Sequence, residues 1–128
     1  MNSYILIGLE NFIDHIGSIR DLGLCFWKKS NKKMQLGDIV YLFISDHIHD
    51  KIMYRLEVVD TDCERTDSKY WVQTFVPDKH CFKLKNTAAM FDGDGLGRDD
   101  LEKHDISRYV QYKKLSFEQA EWIESFFS

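Results

Sequence analysis

Apolar positions run almost unbroken through the first stretch, SYILIGL, where Tyr4, Ile5, Leu6 and Ile7 stand side by side. A short, β-branched run of this kind predicts a buried first strand. The period then changes. In ENFIDHIGSIRDLG, Phe12, Ile13, Ile16 and Ile19 fall at helix-like spacing, and Gly17 and Gly23 keep any helix there short. The following CFWKKSNKKMQLGD reads as a loop closing on the turn LGD. IVYLFIS is apolar or aromatic at nearly every position, as expected of a strand covered on both faces.

In KIMYRLEVVDTD, Ile52, Tyr54, Leu56 and Val58 alternate with polar Arg55 and Glu57, the mark of a half-exposed antiparallel strand. The polar link DHIHD is short enough for a hairpin between these two strands. SKYWVQTFVP is expected to be a further strand ending at Pro77, and KHCFKLK a weaker one. FDGDGLGRDDLEKHD reads as a Gly- and Asp-rich loop with a helical turn at its end, and SRYVQYKKL as a last strand. LSFEQAEWIESFFS carries the clearest helix signal. Ser116 and Gln119 form a capping box, and Phe117, Ala120, Ile123 and Phe127 form one apolar stripe widened by Trp122 and Phe126. The sum is an α+β fold: a mixed, strongly bent β-sheet or small barrel with peripheral helices and a C-terminal helix docked on the sheet. One domain over residues 1–128 is expected.

Composition narrows this picture. With 128 residues and 44% hydrophobic side chains, the chain can bury a real core. Nine Phe, six Tyr and three Trp are many for this length, and a single Pro argues against a disordered linker. Cys25, Cys63 and Cys81 are an odd number at irregular spacing without a C-x-x-C pair, so reduced, buried thiols in a cytoplasmic protein are expected. The amino terminus lacks a basic n-region, and nothing approaches a transmembrane span.

Several chemistries fail on spacing. His47 and His49 could share a strand face, with Cys63 and Cys81 further on, but no second tight pair completes a zinc set. From Asp92, the EF-hand pattern meets Asp94, then Leu96 and Gly97 where a ligand and the invariant glycine are required in register. No Walker lysine follows the glycines, and no G-x-S-x-G, H-E-x-x-H or deaminase signature occurs. Neither a metal, a cofactor nor a catalytic residue is assigned.

Charge is informative locally. The net charge is −4, yet Lys28, Lys29, Lys32 and Lys33 occupy a window without acids. Arg108, Lys113 and Lys114 form a second basic stretch. Both suit phosphate contacts, which supply affinity without reading sequence. Trp27 beside the first stretch could stack a base, with Ser30 and Asn31 bonding its edge. The residues alone lean towards a core tryptophan followed by solvated lysines.

The order of residues in W27-KKSN-KKMQLGDIVYLFIS resembles the EVE domain of the PUA-like superfamily, which also contains the YTH and ASCH domains. The likeness extends through IMYRLEVVD and KYWVQTF to RYVQYKKLSFEQAEWI. It is similar to the divergent EVE-like domains that lead modification-dependent restriction ATPases and nucleases, since the amino terminus lacks the opening motif of stand-alone members. The resemblance implies a PUA-like fold that takes a flipped-out modified base into an aromatic pocket. It would place Trp27, Ser30, Asn31, Phe43, Ser45 and Gln111 at the base, and Lys28, Lys29, Lys32, Lys33, Arg108 and Lys113 along phosphates; Trp71 is assigned to the core. The implied partner is nucleic acid, modified DNA before RNA, with an ATPase or nuclease module fused or associated. The alternative is an ASCH-type RNA binder or RNA- or nucleoside-acting enzyme using Lys28 or Lys32 with Asp38. A protein-interaction module is a third.

Overall fold

The computed structural model describes residues 1–107 and 111–127. Its elements are β1 (Ser3–Leu9), α1 (His15–Leu22), β2 (Leu24–Lys28), β3 (Ile39–Ser45), β4 (Lys51–Cys63), β5 (Cys81–Asn86), α2 (Arg98–Glu102), β6 (Tyr112–Lys114) and α3 (Phe117–Glu124). The six strands form one mixed sheet in the order β2-β5-β4-β3-β1-β6. β1 and β3 are parallel, and the other neighbours are antiparallel. The sheet is open, with β2 and β6 as its edges. Of the two expected forms, an open sheet rather than a closed barrel is therefore the one adopted.

The central strands are buried on both faces because alternate residues feed two separate cores. Tyr4 and Leu6 on β1, and Val40, Leu42 and Ile44 on β3, pack with Ile19, Cys25, Leu56 and Phe82. Ile5 and Ile7, with Ile39, Tyr41 and Phe43, pack on the other face with Leu101, Ile106 and Ile123 of the C-terminal third. β4 departs from the simple alternation of its sequence. A bulge slips the register from Leu42↔Tyr54 to Phe43↔Ile52. Met53 thereby joins Tyr54 in the first core, and Ile52 is turned into the second.

Three readings of the sequence need correction. Leu24–Lys28 is a strand, not a loop, because it pairs residue for residue with β5. SKYWVQTFVP is not a strand: Ser68–Tyr70 is a single 3₁₀ turn, and the rest is irregular apart from an Ile13–Trp71 bridge. Phe117 does not belong to the apolar stripe of α3, since it is 75% exposed while Ile123 is fully buried. The capping box of Ser116 and Gln119 forms as the sequence indicates. In the Gly-rich loop, Gly95 has φ +112° and a methyl there would lie 2.8 Å from the Phe126 ring. This glycine seats the C-terminal aromatics against the loop. No helix among the described residues is long and apolar enough to cross a membrane.

Glu124 of α3 latches the helix to the sheet, accepting from Tyr41 Oη at 2.6 Å and Arg55 Nε at 2.7 Å. Burial raises the Tyr41 hydroxyl pKa, helped by Glu124, and burial also raises Tyr4 and pushes Tyr54 up to about 12. A phenol raised in the native state holds its proton where the unfolded chain has already lost it. Its stabilisation is complete below the ordinary tyrosine value of about 10 and fades as pH climbs through the folded value. The urea midpoint should therefore fall steadily from about pH 10 upward, and Tyr54→Phe should make that fall shallower. A midpoint that stays level across this window would contradict the burial of these hydroxyls.

Candidate nucleic-acid interface

At the C-terminal end of β1, the chain leaves the sheet through residues 10–14 and returns as α1. β2 then passes beside the end of β1, and the gap between them is a cavity of about 190 Å³. Ile7, Leu9, Phe12, Ile13, His15, Phe26, Trp27, Lys28 and Arg65 line it. Its volume is below the roughly 300–1,000 Å³ usual for drug-sized ligands, so it suits one planar ring system. Trp27 is half-buried, with its ring 5.4 Å from that of His15 and tilted 32°. Phe12 is 45% exposed at the rim.

Two polar networks hold these walls. Glu10 caps the start of α1, accepting from the backbone amides of His15 and Ile16 at 3.0 Å, and its carboxylate meets His15 Nδ1 at 2.7 Å. Asp14 adds a second cap through Gly17 N. Gly8 of β1 lets the His15 ring pack closely, since a methyl there would sit 3.0 Å from His15 Nδ1. On the opposite side, buried Arg65 donates Nε to Asp67 at 3.0 Å, Nη1 to Asp78 at 3.1 Å and Nη2 to the Phe26 carbonyl at 3.0 Å. Its guanidinium lies 4.7 Å from the Trp71 ring, whose Nε1 donates to Asp67. Trp71 thus packs on this ion network and is not among the cavity's lining residues.

From Lys29, the sequence neighbour of Lys28 in the cavity lining, the chain goes on to line a trough of about 540 Å³ with Lys32, Lys33, Met34, Gln35 and Leu36, joined by Thr61. Among the described residues, Lys28, Lys29, Lys32 and Lys33 form no ion pair. Burial, followed by the neighbouring Lys28 charge, lowers the Lys32 pKa. Tyr112 of β6 joins the two basic stretches: its hydroxyl accepts from Lys33 N at 3.3 Å, and Lys32 Nζ lies 5.8 Å from its ring centre.

The residues expected at the base are dispersed. Trp27 lines the cavity, with Lys28 at its edge. Ser30 and Asn31 are exposed at the tip of the turn after β2, where Ser30 takes φ 45° and Lys32 N bonds the Lys29 carbonyl. Phe43 is only 1% exposed and lies in the second core with Arg98 over its ring, because its position on β3 points away from Trp27. Ser45 is half-buried, opposite Leu9 of the cavity rim, and its hydroxyl accepts from Arg98 at 3.5 Å. Gln111 is exposed next to Tyr112, away from the cavity lining. Lys113 pairs with Ile5 on the β6 edge, whereas Arg108 lies outside the described residues. Asp38 is buried, and its carboxylate accepts from Asn2 N and Gln35 N, which fastens the turn to β1. Of the histidines, His49 is held by Asp46, and His47 is exposed.

Phe12, His15 and Arg65 were missed by sequence reasoning. A signal existed for one of them: Glu10 and Asp14 both precede α1, which is more capping than one short helix requires, and His15 sits between them and the apolar run.

The chain matches no protein-family model and no curated protein sequence. Solved structures do resemble it. Human THYN1, solved in complex with DNA containing 5-methylcytosine, superposes with a TM-score of 0.65 at 9% identity, over 98% of this chain and 96% of that one. The ASCH protein of Zymomonas mobilis gives 0.61 at 10% identity, over 98% and 96%. A Leishmania major protein described as hypothetical gives 0.60 at 16%, over 98% and 93%. These neighbours show that the chain shares its fold with THYN1 and the ASCH protein, the fold that the resemblance in the sequence led one to expect.

Proposed function

We propose that this protein is a non-catalytic nucleic-acid-binding domain that takes one modified base, flipped out of a DNA duplex, into the Trp27 cavity. The observation that carries this reading is that an aromatic cavity of single-ring size, lined by Trp27 and Lys28, is followed directly along the chain by the lysines that line the trough. Extrusion costs a few kcal/mol, roughly, and stacking with apolar contacts must offset it. Trp27 supplies the stacking face, and Ile7, Leu9 and Phe26 an apolar wall suited to a methyl substituent. Lys29, Lys32 and Lys33 then track the phosphates next to the extruded nucleotide. That a fold neighbour was solved with 5-methylcytosine DNA supports the choice of DNA. In this reading the domain serves as the specificity module of a restriction or defence system, delivering an ATPase or nuclease to modified DNA.

The ASCH neighbour favours a second reading, an RNA or nucleoside substrate on the same fold. Its acid–base pair would have to be Lys28 or Lys32 with Asp38, and Asp38 is already committed to two backbone amides.

Fluorescence anisotropy with matched duplexes carrying cytosine, 5-methylcytosine, 5-hydroxymethylcytosine, adenine or N6-methyladenine tests the proposal at two salt concentrations. One modified duplex should be preferred by roughly 5- to 150-fold, the range of a one-methyl difference, with the ratio unchanged at higher salt. Equal binding that vanishes with salt would leave only a phosphate-binding edge. Replacing Lys32 and Lys33 by Gln should weaken every duplex alike and reduce the log–log salt slope by about one per lysine removed. A change in base preference instead would place those lysines at the base.

A further inference from the structure

The base-pocket reading leaves open how such a cavity would tell one base edge from another. Most of its wall cannot. Ile7, Leu9, Phe12, Ile13 and Phe26 present hydrocarbon, and the Arg65 guanidinium is occupied by Asp67, Asp78 and the Phe26 carbonyl. His15 is different. Its Nδ1 lies 2.7 Å from Glu10, which is itself anchored by the His15 and Ile16 amides. The backbone of Gly8 covers the Nδ1–Cε1 side of the ring, and Trp27 lies against it at 5.4 Å between centres. What remains is the Nε2 edge, and among the described residues nothing bonds it. The ring lines the cavity. A carboxylate can only accept, so Nδ1 carries the proton, and in the neutral ring Nε2 is left as an acceptor.

We infer that His15 Nε2 is the base-reading group of the cavity, accepting a hydrogen bond from an exocyclic amino group. Glu10 acts as its positioning residue. The cavity then selects bases of the amino class, cytosine or adenine derivatives, against keto bases of the thymine class. A keto oxygen would face the Nε2 lone pair and leave both acceptors unpaired inside the cavity, which is costly. This inference rests on the base-pocket reading and sharpens it.

5-Methylcytosine and thymine make the discriminating pair. They share the methyl group and differ on the edge that carries the C4 substituent. Each is placed opposite an abasic site in the same duplex, so that pairing does not bias extrusion, and binding to both is measured under one set of conditions. A duplex abasic on both strands at that step is the reference. The protein should favour 5-methylcytosine over thymine by about tenfold or more. In His15→Phe, which keeps a ring against Trp27, that ratio should collapse towards one while binding of the abasic reference is unchanged. In the unmodified protein, the His15 Nε2 nitrogen resonance should move with 5-methylcytosine and not with thymine, a readout that does not depend on the variant folding. Equal binding of the two bases, both above the abasic reference, would overturn the role of His15 and leave the base pocket standing. A ratio that survives His15→Phe would overturn it as well. No preference for either base over the abasic reference would remove the base pocket itself.

Discussion

Trp27→Ala should lower affinity for the preferred modified duplex by roughly 5- to 150-fold, the cost of one lost base-stacking platform, and leave salt-sensitive background binding in place. The structure allows this separation because Trp27 is half-buried. One part of its ring closes the first core beside Phe82 and Leu84, and another part faces the cavity. Some loss of stability accompanies the truncation. Trp27→Phe isolates the binding term, since it keeps a stacking face and most of the packing. It should retain the preference that the alanine variant loses. Equal affinity of the alanine variant and the unmodified protein for the modified duplex would show that the ring serves the core alone.

Asp67→Ala should produce the largest loss of stability, roughly 3–5 kcal/mol, the usual effect of removing one partner from a buried ion pair. Asp67 and Arg65 are 1% and 4% exposed at their side chains. Without Asp67, the guanidinium keeps Asp78 and the Phe26 carbonyl, but Nε and the Trp71 indole lose their acceptor. Urea unfolding of the alanine variant measures the loss. Arg65→Met together with Asp67→Leu should recover much of it, because hydrophobic side chains in place of a buried pair restore packing without charge. Since Arg65 lines the cavity, Asp67→Ala should also weaken base-selective binding. A variant of unchanged stability would mean that the segment from Glu64 to His80 is held by something other than this network.

The sheet could be read from the sequence wherever apolar period and burial coincide. SYILIGL and IVYLFIS announce doubly covered strands, and the capping box at Ser116 marks where α3 begins. Three features hid the rest. Lys28, Lys29 and the polar residues after them masked β2, whose strand character comes from pairing with β5 rather than from its own pattern. The Met53 bulge changes the face of Ile52, and no local residue choice announces it. Trp71, Val72 and Phe75 imitate a strand, but Arg65 and Asp67 organise that segment around a buried charge pair. For the site, the linear order led to Trp27 and the lysines and no further. Ser30, Asn31 and Phe43 follow Trp27 closely in sequence, yet a turn and the alternation of β3 send them elsewhere. The cavity is completed by residues 10–15 and Arg65, which are distant in sequence and reach Trp27 only through the fold.

The central claim is that a modified base sits against Trp27, and the indole N–H signals of the protein test it directly. The chain has three tryptophans, Trp27, Trp71 and Trp122, and their resonances can be followed as matched methylated and unmodified duplexes are added. Trp122, stacked 3.5 Å from His104 on the far core, serves as an internal reference. The methylated duplex should shift Trp27 strongly, with the unmodified duplex shifting it little and Trp122 unmoved by either. Identical responses of Trp27 to both duplexes, or no response while the lysine signals move, would contradict a base-reading cavity.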